Sequence, residues 1–208
     1  MFHVVHPTRR GLTLIELMLA LTITVMISGA IASMMAAIAA GVETRQDVRG
    51  TMVRASAASG RLGAYVAGSR CILSASATDL VLWLRDSRES GTVHASEVRW
   101  ILYDPAGGGY DVLYVRFPDE WTDLQCDQAD QEYAANADWN AVLNFYDDLG
   151  YVAMTRLVDG LESVEIAIDH ANPLSARLAS FLLSFAAESG AQQVRVSESI
   201  RLHEPPVK

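Results

Sequence analysis

The sequence predicts an α+β fold: one long N-terminal helix, with a membrane half and an amphipathic half, packed on antiparallel β-sheet. Three features predict it. Residues Leu12 to Ala40 run 29 positions with Glu16 as the only ionisable side chain. A stripe at helical spacing then continues to Val66 without a proline. From Asp79 onward, short alternating apolar runs are separated by clusters of Gly, Asp, Pro and Ser, the pattern of strands and hairpins.

The first segment opens Arg9-Arg10-Gly11-Leu12-Thr13-Leu14-Ile15-Glu16-Leu17 and stays apolar or small to Gly41. As a helix it is long enough to cross a bilayer core, which takes about 20 residues. A carboxylate inside such a segment costs roughly 2.5–3.5 kcal/mol at the membrane centre, and less near the end, where Glu16 stands. An ion in that setting marks a functional position and calls for a positive partner. No side chain of the segment supplies one, but a cut between Gly11 and Leu12 would free an α-amino group near the carboxylate. A secretory signal peptide fits poorly, because its apolar region runs to about 7–15 residues. A plain signal anchor explains the length and leaves Glu16 without a role. Gly29, Ser33, Ala37 and Gly41 form a row of small residues that permits close helix–helix approach.

Nothing stops the helix at Gly41. Val48, Met52, Ala55, Ser59, Leu62 and Val66 follow at alternating spacings of four and three, with Arg45, Arg49, Arg54 and Arg61 largely off the stripe. One helix from Thr13 to Val66 would be roughly 80 Å long. Its first half suits lipid, and its second half suits burial of one face against a domain.

The remainder reads as strands. Asp79 to Arg85 places Leu80, Leu82 and Leu84 on one face and Val81 and Trp83 on the other. Glu97 to Tyr103 and Tyr110 to Phe117 flank the turn cluster Asp104 to Gly109 and predict a hairpin. Val164, Ile166 and Ile168 alternate with polar or small neighbours as a half-buried strand. Leu178 to Ala186 and Val194 to Leu202 flank Glu188-Ser189-Gly190-Ala191 as a second hairpin. Asp138 to Leu149 predicts a short helix with Trp139, Val142, Leu143 and Tyr146 on one side. The tail Glu204 to Lys208 carries two prolines and suits neither element. The divisions expected are 1–11 leader, 12–41 membrane helix, 42–70 amphipathic continuation, 71–203 sheet-rich domain and 204–208 tail.

After the leader and membrane helix, enough chain remains for one domain with a proper core. The formal charge is −9, and loss of Arg9 and Arg10 with a leader takes it to −11. Such an acidic balance excludes nucleic acid and anionic lipid surfaces as natural partners. The basic residues ahead of the span fit a cytoplasmic start, which places the C-terminal domain across the membrane.

The stretch from Arg9 to Leu17, with its cut site, glutamate and uninterrupted apolar run, resembles the class III signal of type IV pilins and type II secretion pseudopilins. The resemblance implies that prepilin peptidase cuts after Gly11 and methylates Leu12. It also implies that Glu16 attracts the N-terminal amine of a neighbouring subunit during filament assembly. The family most often has Phe where this chain has Leu12, and its major members commonly have a Pro where this chain has Ser33. The order of long helix, hairpin, variable loop and further strands is similar to the pilin-like fold. Leu157 to Glu165, with the closing strand Ser199-Ile200-Arg201-Leu202, looks like the larger minor subunits, the J-type pseudopilin or the W-type minor pilin. Partners implied are other pilins or pseudopilins through the helix, prepilin peptidase and an inner-membrane assembly platform. The location implied is a single-pass inner-membrane protein with its domain in the periplasm, later part of a periplasmic or extracellular filament.

Other chemistry is sparse. Cys71 and Cys126 are an even count in an exported domain, so one disulfide is expected, with two separate thiols as the alternative. Between Phe117 and Thr155 there are nine acidic residues and no basic one. They lack the D-x-[DN]-x-[DN]-G order of a calcium loop, so a solvated acidic face is expected, with no metal. His94, His170 and His203 stand apart in the sequence, and no nucleophile elbow is present. No cofactor and no enzymatic activity are expected. The expected function is that of a minor pseudopilin near the tip of a type II secretion pseudopilus. A minor pilin of a type IV pilus, or a membrane-tethered periplasmic enzyme or binding protein, is the alternative.

Overall fold

The computed structural model describes residues 13–88, 90–186 and 193–202, apart from the side chains of 43–47. The cut site Gly11 and Leu12, the turn at Glu188 to Ala191, His203 and the tail lie outside the described residues. The fold is α+β, with a long apolar N-terminal helix followed by antiparallel sheets. Two compact units meet in sequence between Gln46 and Asp47.

Helix α1 spans Leu14–Ala67 and contributes to both units. In the first unit, Leu14–Val42 is 29 residues of mean hydropathy 2.2, long and apolar enough to cross a bilayer. The hydroxyls of Thr22 and Thr24 donate to the carbonyls of Met18 and Ala20, both at 2.8 Å, and Ser33 donates to Ala30 at 2.9 Å. Each therefore finds its partner within the helix, which is what hydrocarbon would demand of a polar side chain.

In the second unit, the strands follow in chain order as β1 (Cys71–Ala75), β2 (Leu80–Trp83), β3 (Val93–His94), β4 (Val98–Asp104) and β5 (Gly109–Val115). Helix α2 (Asp123–Ala129), β6 (Glu132–Tyr133) and helix α3 (Trp139–Asp148) come next, then β7 (Val152–Asp159), β8 (Leu161–Ile168), β9 (Leu178–Ala186) and β10 (Gln193–Arg201). One sheet has the order β1-β2-β4-β5-β7, a second β10-β9-β8, and β3 pairs with β6. The β4–β5 and β9–β10 hairpins form as the alternation predicts, the latter in register from Leu178 opposite Arg201 to Ala186 opposite Gln193.

The five-stranded sheet is buried on both faces, which explains why β2 reads as continuous apolar sequence. Leu80 and Leu82 join one core with Ala55, Ala58, Leu62 and Val66 of α1 and with Phe181, Leu183 and Phe185 of β9. Val81 and Trp83 join the opposite core with Trp100 and with Trp139, Val142, Leu143 and Tyr146 of α3. Asp138 caps α3, its Oδ1 accepting from the amides of Asn140 and Ala141 at 3.1 and 3.2 Å.

The buried stripe of α1 differs from the one expected. It is Thr51, Ala55, Ala58, Leu62 and Val66, whereas Met52 is 56 % exposed and Ser59 is half-buried. Close approach of a helix to a sheet selects small side chains at the contact, so Thr51 and Ala58 take the places expected of Met52 and Ser59.

The β4–β5 turn is held by one arginine from β7. Asp104 Oδ1 accepts from the amides of Ala106 and Gly107, both at 3.0 Å. Arg156 reaches Asp104 Oδ2 at 3.2 Å and Asp111 Oδ1 at 2.8 Å. The Gly107 amide first, and Arg156 after it, hold the Asp104 carboxyl below its usual range. A Cβ at Gly109 would overlap the Arg156 guanidinium, so a larger residue there would displace the arginine from the turn. At the β7–β8 turn, Gly160 has φ +75°, the region glycine adopts without strain.

The position of the stripe sets an expected outcome. Leu62→Ala should destabilise the detergent-solubilised chain by about 2–5 kcal/mol, and Met52→Ala should stay within about 0.5 kcal/mol. Chemical denaturation followed by tryptophan fluorescence checks this; equal losses would restore the stripe expected from sequence.

Candidate functional site

The start of α1 carries the one carboxylate of the membrane-length span. Glu16 lies in its first turn. Its Oε2 accepts from the Thr13 amide at 2.9 Å and from the Thr13 hydroxyl at 3.1 Å. In return, Thr13 Oγ1 accepts from the Glu16 amide at 3.3 Å. This is a capping box, in which a threonine and a glutamate three residues on satisfy each other's helix-terminal amides. The helix dipole adds to it, since an N-terminal turn favours negative charge. Thr13-x-x-Glu16 is the sequence signature of the box, a local partner for Glu16 that charge alone does not point to. The box supplies hydrogen bonds and no counter-charge, so the need for a cation is reduced and not removed.

The other residues of the span follow from helix geometry. Gly29, Ser33, Ala37 and Gly41 are exposed along α1 at four-residue spacing. Among the described residues, nothing beyond the local helix backbone lies within 4 Å of a Cβ placed on Gly29 or on Gly41. The row is open for another helix to approach.

The second unit has a polar centre of its own, built where β3 and β6 pair. Glu97, buried at the end of the short 3₁₀ turn Ala95–Glu97, accepts from Trp83 Nε1 at 3.0 Å, the Ser87 hydroxyl at 2.6 Å and the His94 amide at 3.3 Å. Asp130 is 3 % exposed and accepts from the Ser96 amide at 3.0 Å and hydroxyl at 2.6 Å. Arg88 bridges it at 3.1 Å to Asp127 at 2.8 Å. Tyr146 donates to the Ala129 carbonyl at 2.9 Å and accepts from the Gln131 amide at 3.0 Å. Burial pushes that phenol above its usual range and keeps its proton in place. These bonds fasten the α2–α3 segment to the sheet, because each buried polar atom is costly without its partner.

The acidic stretch is solvated as expected, with one exception: eight of its nine carboxylates are exposed, and Asp130 is buried. Asp127 pairs with Arg88 and Asp119 with Arg116 at 2.9 Å, and Asp138 caps α3. The paired cations come from outside the stretch. His94, separate in the sequence, has neighbours in the fold. It is buried on β3 with Nδ1 3.3 Å from the Asp130 carbonyl and Nε2 3.8 Å from Glu132 Oε1.

The expected disulfide is not formed. Cys71 is buried in β1 against Trp83 and Trp100, Cys126 is half-buried on α2, and no bond joins the two. Helix α2 has no buried residue and sits outside that core, so the pairing inferred from an even count lacks a shared location. Among the described residues, no three His, Cys, Asp or Glu side chains converge as a metal-holding group.

No family model and no curated protein matches this chain.

The polar centre makes a testable contrast between two aspartates of the same acidic stretch. Removing one partner of a buried pair costs about 3–5 kcal/mol, so Asp130→Ala should destabilise strongly. Asp148→Ala, at an exposed helix end, should change stability by less than about 0.5 kcal/mol. Denaturant midpoints of the two variants decide it, and a neutral Asp130→Ala would refute the fastening role.

Proposed function

We propose that this chain is a minor pseudopilin, a structural subunit at or near the tip of a type II secretion pseudopilus. It is inserted in the inner membrane with its domain in the periplasm, cut by prepilin peptidase after Gly11 and methylated on Leu12. Helices from Leu12 onward bundle through rows such as Gly29, Ser33, Ala37 and Gly41, with the sheet domains outward. An inner-membrane platform and other pseudopilins are its partners.

The observation that carries this function is Glu16, a single carboxylate in the first turn of the apolar span Leu14–Val42. In lipid its charge is unfavourable without a cation. The N-terminal ammonium of an adjoining subunit would supply that cation and fix the axial register between subunits. Two further features support it: the Arg9-to-Leu17 pattern, and the pilin-like order of long helix followed by antiparallel sheet.

Two substitutions test it. Glu16→Ala removes the charge and the carboxylate half of the capping box, whereas Glu16→Gln keeps a side chain able to complete it. Both should leave thermal unfolding of the sheet domain unchanged, and both should lower recovery in sheared or cross-linked filaments by about tenfold or more, the factor for a difference of about 1.4 kcal/mol. Recovery of either variant at the wild-type level would contradict the register role.

A further inference from the structure

We propose that Thr13 is a positioning residue for Glu16, holding the carboxylate ready for the ammonium of a neighbouring subunit. This role rests on Glu16 acting between subunits and adds to it the group that orients the acid.

Three bonds make the case. The Thr13 amide and hydroxyl both donate to Oε2, at 2.9 and 3.1 Å, while the Thr13 hydroxyl accepts from the Glu16 amide at 3.3 Å. Oε1 takes part in none of the three. A glutamate side chain has several rotatable bonds, and the box fixes them before any partner arrives. Fixing a binding group in advance lowers the ordering cost of the later contact. The geometry also ties the carboxylate to the first turn of α1 and keeps it from extending along the helix. A cation arriving from outside then meets the acid at one height on the helix, which is what axial register requires.

Sequence chemistry agrees with the assignment. Valine has nearly the shape of threonine and no hydroxyl, so Thr13→Val leaves the amide bond and breaks the two bonds of the hydroxyl. Serine restores the hydroxyl without the methyl group and is an equal or better cap.

The test uses the full chain in its host, with recovery in filaments expressed per molecule of processed protein, as determined by intact-mass measurement. Thr13→Val should lower recovery roughly fivefold, the scale set by loss of one cap, and Thr13→Ser should recover the wild-type level. In a Glu16→Ala background, Thr13→Val still loses the bond to the residue-16 amide but has no acid left to orient, so recovery should fall no further. Wild-type recovery for Thr13→Val while Glu16→Ala is impaired would overturn the positioning role and leave the proposed function standing. Unimpaired Glu16→Ala would remove the function itself. A failure of processing in both Thr13 variants would assign Thr13 to peptidase recognition and would also overturn the proposal, as would additive losses in the double variant.

Discussion

A lone carboxylate at the start of a membrane-length apolar helix is the constraint on which the rest of this molecule turns. Over the 29 residues Leu14–Val42, every side chain but that of Glu16 is apolar, small or a hydroxyl bonded back to its own helix. Glu16 is placed where the cost is least, in the first turn, with the helix dipole and Thr13 in its favour. Those local terms offset part of the desolvation cost and supply no positive charge. What they leave is a modest, directional demand for a cation at one end of a long apolar helix. Under the proposed function, that demand would let a lone subunit remain in the membrane and would favour one register between neighbouring subunits.

The second unit answers a different requirement, that of a stable domain joined to a helix. The five-stranded sheet buries both faces, one against Ala55, Ala58, Leu62 and Val66 of α1 and the other against Trp139, Val142, Leu143 and Tyr146 of α3. Small residues on α1 bring the helix close, and aromatic residues fill the opposite side. The connecting segments are long and polar, and they are held by buried carboxylates. Glu97 and Asp130 each collect several donors, and Arg88 and Arg156 tie distant turns together. Order in these segments comes from side-chain hydrogen bonds where strand pairing is short.

Much of this was legible in the sequence, for reasons that vary by element. The hairpins β4–β5 and β9–β10 alternate over seven or more residues and flank clear turn clusters, so period and punctuation agree. Helix α3 shows its buried face through four large apolar residues at helical spacing. Strands β1, β3 and β6 are too short to show a period, and β7 exposes Met154 and Thr155, which blurs its alternation. Helix α2 buries nothing, so hydrophobic spacing could not reveal it; only Thr122-x-x-Gln125, the same box as Thr13-x-x-Glu16, marks its start. The stripe of α1 was misplaced by a residue at two positions because hydrophobicity favours Met52, whereas close packing favours Thr51. The disulfide failed for a related reason: cysteine counts carry no information about which layer each cysteine occupies.

At the candidate site, Glu16 stood out because charge in an apolar run is conspicuous, and Thr13 did not, because a threonine there looks like any tolerated small residue. The central claim is that the acid is matched to an amine created by proteolysis. Intact-mass and fragment-ion analysis of the protein isolated from its native membrane tests this most directly. The account predicts a chain that begins at Leu12 and carries one additional methyl group on its amino terminus. A chain that still begins at Met1 in a host with active prepilin peptidase would contradict it.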